Sequence, residues 1–327
     1  MDLEVQEDKV LSSLVLMLSI VLGINYILTI FLLSFIFIYS IYKKYNFKLK
    51  KVYLLFLINI IVCVYYRNYL GALVNIVLIL FFYLSYLKDM INLDIVVKYS
   101  AIMGLIEIIF SLISKKRAGF YNFLNPNYYG AYLALLILLY LFKKYNRKYL
   151  VVFIVALILT GSRFALVSLI FTYAIYLFLK NKKIGIIAIG TILIYFYFVY
   201  KGVLPFVRSD TINEYLDLRL WIYKLGVMGI NEAIFLGHGP TYFYKFSNYI
   251  YPHSHNILIE PVLSYGILGL MYILYICKDF KFNYKRILLI TLVFIHGMAD
   301  YTIFWIQTGL MFIILFNEFE WNIDILH

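Results

Sequence analysis

Apolar runs follow one another along almost the whole chain with only short polar breaks, and this succession limits the fold more than any other feature. A helix crosses the hydrocarbon core of a bilayer with ~20 apolar residues, or fewer where the bilayer thins or flanking side chains snorkel. The runs are Val10–Tyr42, Val52–Tyr66, Tyr69–Leu87, Ile95–Ile113, Tyr128–Phe142, Tyr149–Thr160, Phe164–Leu179, Ile184–Tyr200, Ile257–Cys277, Ile287–Ala299 and Ile303–Phe316. The first is too long for one ordinary span and too short for two full ones, and Gly23-Ile24-Asn25 is placed to turn a pair of short helices. The expected architecture is all-α: a polytopic helical membrane protein of 11–12 transmembrane helices, one integral membrane domain over residues 1–327. Composition agrees, with 64% hydrophobic residues, 14% charged residues and a mean hydropathy of +0.89. A soluble domain could not keep that much apolar surface from water.

Acidic Asp2, Glu4, Glu7 and Asp8 stand where a cleavable signal peptide has basic residues, so none is expected. Cys63 and Cys277 lie in or at the end of apolar runs and indicate no disulfide framework. The net charge of +12 is distributed as a topology signal. Basic clusters at Lys43, Lys44, Lys48, Lys50 and Lys51, at Lys143, Lys144, Arg147 and Lys148, at Lys180, Lys182 and Lys183, and at Lys278, Lys281, Lys285 and Arg286 fall in alternate loops. Cytoplasmic loops carry such an excess. A nucleic-acid partner is not expected. The same rule puts four connections outside: Ser114–Asn127, the turn Gly161-Ser162-Arg163, the long loop Lys201–Asn256, and the turn near Asp300. Within the long loop, Thr211–Ile234 has apolar residues at helical spacing with Arg219 beside the stripe, so a helix lying along the membrane surface or over a cavity is expected.

Polar residues beside apolar helices are the candidates for chemistry. Arg163 sits at the outer mouth between two hydrophobic runs; it is either an interfacial snorkelling arginine or a clamp for an anion such as phosphate. Arg208, Arg219 and Lys224 follow in the long loop, with Gly237-His238-Gly239-Pro240 behind them. Those charges on their own suit a solvated surface. Pro252-His253-Ser254-His255-Asn256 precedes an apolar run, with Glu260 the nearest acid. Two histidines without a carboxylate cluster make a thin metal set, so no metal is expected, and a general base is the better use of an imidazole.

Spacing joins these pieces. His255-Asn256 is followed by nine residues and then Gly266-Ile267-Leu268-Gly269. Upstream lie Arg219-Leu220-Trp221, Leu236-Gly237-His238-Gly239, Thr160-Gly161-Ser162-Arg163 and Asn125-Pro126-Asn127; downstream lie His296-Gly297-Met298-Ala299-Asp300 and Phe304-Trp305. Taken in this order, they resemble the O-antigen ligase and O-antigen, capsular or exopolysaccharide polymerase family over about Asn125–Phe316; the residues before add only hydrophobicity. The resemblance implies a fold similar to the membrane glycosyltransferase C-type fold. It also implies glycan transfer from an undecaprenyl diphosphate carrier to an acceptor hydroxyl at the outer face of a bacterial cytoplasmic membrane. Carried over, Arg163 and Arg219 bind the diphosphate and His255 orients or deprotonates the acceptor. His253, Asn256, Asp300, Asn127, Arg208 and His238 support them. The partners implied are lipid-linked oligosaccharide donor and acceptor, membrane lipid, a chain-length regulator and a flippase. No cofactor is expected, since arginine charge replaces a divalent cation and no Asp-x-Asp is present.

Within the family the choice is polymerase or ligase. Richness in Ile, Lys, Asn, Tyr and Phe suggests an AT-rich genome, and many such bacteria lack an outer membrane, which favours a polymerase. A flippase or transporter of lipid-linked glycan would place polar residues deep in several helices. Here they gather at the outer helix ends.

Overall fold

The computed structural model describes residues 8–45, 51–206, 212–278, 282–301, 303 and 305–319. Arg208 lies outside these, as do Asp2, Glu4, Glu7, Lys48, Lys50, Lys281 and Phe304. Among the described residues the chain is helical and has no strand. In order the helices are α1 (Lys9–Val21), α2 (Tyr26–Tyr42), α3 (Lys51–Tyr65), α4 (Tyr69–Tyr83), α5 (Leu93–Ser114), α6 (Pro126–Leu139), α7 (Arg147–Thr160), α8 (Arg163–Lys180), α9 (Lys182–Tyr200), α10 (Ile212–Glu232), α11 (Phe243–Phe246), α12 (Ile259–Cys277), α13 (Tyr284–Gly297) and α14 (Ile306–Glu318).

Asparagine sets many of the boundaries. The side chains of Asn25, Asn68, Asn92, Asn125, Asn146, Asn181 and Asn283 each accept a backbone N–H from the first turn of the helix they open. Such a cap satisfies an otherwise orphaned donor and is worth ~1 kcal/mol. Asn25 therefore splits the long first run into α1 and α2, as Gly23-Ile24-Asn25 suggested.

Each expected apolar run holds a helix, and the chain is a multi-pass helical membrane protein. Among the described residues, four helices, α5, α8, α9 and α12, are long and apolar enough to cross a membrane by length and composition, and α1, α2, α3, α4, α6 and α14 are apolar but shorter. Helix bounds follow the apolar runs to within a few residues: Tyr69–Leu87, for example, leaves the α-helix at Tyr83 and finishes in a 3-10 turn, whereas α5 extends beyond Ile95–Ile113 at both ends.

The centre of the bundle is α6, with Tyr129, Tyr132, Leu133, Leu135 and Leu136 almost fully buried. A helix apolar on every side belongs inside a ring of others; α7, α8, α13 and α14 pack around this one. The outward faces stay apolar, as at Phe31, Ile61, Leu112 and Ile187, which suits contact with lipid. Both cysteines are free.

The bundle has two distinct ends. At one, Lys143 pairs with Glu318 (2.5 Å), Lys285 lies over Phe142, Lys180 over Tyr176, and Lys51 and Lys278 over Tyr275. These are the basic clusters of the loop-charge pattern. The N-termini of α6, α8 and α12 and the C-termini of α7 and α13 meet at the opposite end, where the candidate polar residues lie.

Candidate active site

The histidine segment is fastened before α12 begins. Asn256 Oδ1 accepts N–H bonds from Leu258 (2.8 Å) and Ile259 (3.2 Å), and the Ile257 N–H donates to Gly297 O at the end of α13 (2.8 Å). Gly297 allows this approach, since a Cβ there would lie 2.8 Å from the Ile257 side chain. The Ser254 N–H donates to buried Glu260 Oε2 (2.7 Å). These ties hold His255 at a left-handed φ of 54°, a strained conformation for a side chain of its size. In that turn the His255 N–H donates to His253 Nδ1 (3.2 Å).

Fastening the segment to α13 brings His255 to Asp300. His255 Nδ1 and Asp300 Oδ1 are 2.9 Å apart, and Asp300 Oδ2 accepts from Asn127 Nδ2 (3.0 Å). Asn127 Oδ1 in turn accepts from Arg117 Nη2 (3.0 Å), and Arg117 Nε donates to Thr160 O at the C-terminus of α7 (2.5 Å). Burial alone would raise the Asp300 carboxyl, but the hydrogen bond from His255 and the nearby Arg219 charge hold it well below the usual carboxylate range. An ionised carboxylate only accepts, so His255 Nδ1 carries the proton and Nε2 is the nitrogen with a lone pair to offer.

His253 takes the opposite tautomer. Its Nδ1 accepts from the backbone, so Nε2–H points to Tyr128 Oη, 2.9 Å away. Burial pushes its pKa down to about 3; the nearby Arg219 charge adds to this and Asp300 opposes it. His253 is a neutral structural histidine. Tyr128 is stacked on Trp305 (5.0 Å), whose other neighbour is Tyr26 of α2.

Helix α10 closes this end of the bundle. It packs on α12 through Ile222, Leu263 and Phe243, and Gly226 and Gly229 allow the close approach of Ile259 and Phe246. Tyr215, Arg219 and Tyr223 lie four residues apart on one helical face. The Tyr223 hydroxyl donates to Met298 O (2.5 Å), two residues before Asp300, and the Arg163 guanidinium lies over the Tyr215 ring (5.3 Å). Arg219 stands between them. Its charge acts on His253 and Asp300, and its Nη1 is buried with no hydrogen-bond partner among the described residues.

Arg163 opens α8 after the Thr160-Gly161-Ser162 turn, where Gly161 takes a φ of 58°. Gly130 of α6 lets that turn close on the bundle, because a Cβ there would sit 2.8 Å from Ser162 Cβ. Arg163 thus meets α10 at Tyr215, one turn from Arg219, whose charge reaches Asp300, the partner of His255.

His238, expected beside them, is placed elsewhere. Its ring stacks on Tyr242 (4.4 Å) and meets Tyr66, and burial, with Lys245 nearby, pushes its pKa down to about 4. Asn68 holds the turn by donating to His238 O (3.2 Å) and Pro240 O (2.9 Å). The Gly-x-x-Gly spacing also has a structural cause. The turn segment bonds to the backbone of α12, with Ile267 N–H to Ile234 O (2.8 Å) and Gly239 N–H to Ser264 O (2.9 Å). Gly266 sits there at φ 65°, with the Phe235 carbonyl 2.2 Å from where a Cβ would be. Only glycine fits. Asn256 is likewise a helix cap more than a chemical group.

Two residues of this network were not picked out from the sequence, Arg117 and Tyr128. Arg117 ends the run Lys115-Lys116-Arg117 in a connection that the charge pattern puts outside, and a basic run on that side was the available signal. The fold also adds Asp300 to the two histidines, and the three offer possible ligand atoms within 4.8 Å of one another. That is a fuller metal set than the sequence suggested. A dication would have to displace the His255–Asp300 bond and sit near the Arg219 charge, so the donor set fits a hydrogen-bonded base better.

Comparison with curated proteins gave no match. A family model described as O-antigen ligase matches residues 148–274, which include Arg163, Arg219, His238, His255 and the Gly266–Gly269 pair. Over that stretch, somewhat less than half of the chain, the sequence is similar to the O-antigen ligase family model.

Proposed function

We propose that this protein is a polysaccharide polymerase of the bacterial cytoplasmic membrane. It joins O-antigen, capsular or exopolysaccharide repeat units carried on undecaprenyl diphosphate, with its site on the extracytoplasmic side. The observation that carries the reading is the His255–Asp300 pair beside Arg219, one of whose guanidinium nitrogens is buried without a hydrogen-bond partner among the described residues. His255 Nε2 takes the proton of the acceptor hydroxyl, whose oxygen attacks the anomeric carbon of the donor sugar from the face opposite the diphosphate. The carbon–oxygen bond to phosphate breaks and undecaprenyl diphosphate leaves, with inversion. Arg219 and Arg163 bind the charge that grows on the departing diphosphate, a contact worth ~2–4 kcal/mol. His255, once protonated, is stabilised by Asp300.

A ligase would use the same machinery on a different acceptor. A flippase would also use the arginines, but it has no need of an imidazole whose tautomer is fixed for proton removal. Purified protein in nanodiscs, given only a lipid-linked repeat unit, is expected to produce a ladder of chain lengths, with or without a chelator. Transfer only to a second, unlike acceptor would make it a ligase; no transfer with stimulated lipid translocation would make it a flippase.

A further inference from the structure

The His255–Asp300 pair is supported from a part of the chain that the family match does not reach. Asp300 is held at both oxygens, with Oδ1 facing His255 and Oδ2 accepting from Asn127 (3.0 Å). Asn127 is held as well: a guanidinium only donates, so Arg117 Nη2 fixes the Asn127 carbonyl toward itself (3.0 Å) and the amide NH2 toward Asp300. Arg117 also donates Nε–H to Thr160 O, an orphan carbonyl at the negative end of α7. The loop behind it is tied down by Glu107, a fully buried carboxylate on α5 that accepts the N–H groups of Gly119 (2.6 Å) and Asn122 (2.8 Å). Ala118 N–H, bonded to Leu159 O (3.1 Å), sets the register on α7.

From this one-way series of donors we infer that Arg117 is a positioning residue for the base. It locks Asn127, which holds the Asp300 carboxylate in the plane that fixes the proton on His255 Nδ1 and leaves Nε2 to accept. Without it the amide swings, the carboxylate rotates about its own bond, and both His255 tautomers populate. Glu107 acts one step further back by shaping the loop that presents Arg117. The inference rests on the proposed role of His255, but the tautomer can be read without any turnover.

The experiment uses full-length protein in lipid nanodiscs, labelled with nitrogen-15 at histidine. The His255 resonances are assigned by their loss in His255→Gln. Wild type is expected to show an Nδ1-protonated ring. Arg117→Met, and Asn127→Leu, which leaves the Thr160 contact intact, are expected to show mixed tautomers. Both should lower kcat for chain extension about 10²-fold, as a misplaced base does, with KM for the lipid-linked donor unchanged. Arg117→Lys, still a pure donor, should recover part of both signals. An unchanged Nδ1-protonated ring in Asn127→Leu would overturn the inference. So would a raised KM at constant kcat in Arg117→Met, which would make the arginine a donor-binding group. Should His255→Gln itself keep full activity, the base reading fails, whatever the tautomer does.

Discussion

The Nδ1 atom of His255 lies 2.9 Å from Asp300 Oδ1, although 45 residues separate them in the chain. The whole of α12 and α13 intervenes, and the pair is completed only because Ile257 docks on Gly297. The carboxylate takes the Nδ1 proton side of the ring and leaves Nε2 with its lone pair free of that bond. The second histidine of the segment is held differently. His253 is held neutral by its burial and by the backbone N–H that occupies Nδ1, so it serves as a buttress between Tyr128 and the turn.

Arg163 offers a test of how the diphosphate is gripped. Its guanidinium is packed over Tyr215 at the mouth of the site, a geometry in which a planar fork can present two parallel donors to phosphate. Arg163→Ala is expected to slow chain extension about 10²-fold, and Arg163→Lys to recover only part of that loss. Steady-state rates with the lipid-linked repeat measure both. Equal rates for the lysine variant and wild type would assign Arg163 to interfacial snorkelling.

His253 predicts a pH dependence of stability. Its pKa falls from an ordinary 6.5 when unfolded to about 3 when folded. Below 6.5 the unfolded chain therefore binds a proton that the folded one does not, and stability drops as pH falls, by up to ~1.4 kcal/mol per unit. Asp300 contributes nothing to this slope near neutrality, because its folded pKa is also depressed and its contribution is lost only at lower pH. His253→Asn keeps an acceptor for the His255 N–H and removes the titrating ring. Its melting temperature in detergent should decline less between pH 6.5 and 4.5 than that of wild type. Parallel curves would mean that His253 is not held neutral.

Sidedness follows from the two ends of the bundle. Ile250 is exposed in the long loop at the site end, whereas Ser247 in the same turn is buried and bonded to Tyr251, so a cysteine at 247 would report burial and not topology. Ile250→Cys, with Cys63 and Cys277 replaced by serine, is expected to react with an impermeant thiol reagent added to intact spheroplasts. Reaction confined to inverted vesicles would put the site in the cytoplasm.

Much of this architecture was legible because it is written locally. Asparagines mark helix starts, apolar runs mark the helices, and basic clusters mark one end of the bundle. Arg163 and Arg219 stood out as charges beside apolar helices, and His255 through its fixed spacing from Gly266 and Gly269. Asp300 was legible as a motif residue, but its orientation toward His255 depends on the Gly297–Ile257 contact, which no spacing encodes. The surroundings of His238 were not legible, because only the fold shows its flanking glycines admitting the α12 backbone and the side chain of Cys63. Arg117 and Glu107 escaped notice because a loop arginine and a lone helical glutamate carry no pattern until the loop folds back over α7. Exact helix ends were not legible, because hydrophobicity continues through turns such as Leu84–Tyr86 that close a helix.

The central claim is that one imidazole, aimed by Asp300 and flanked by arginines, removes the acceptor proton. It is tested most directly by chain extension of a defined lipid-linked repeat in nanodiscs, comparing wild type with His255→Ala at matched protein level and melting temperature. The account predicts a ladder for wild type and only the starting repeat for the variant, with donor binding retained. A full ladder from His255→Ala would contradict it.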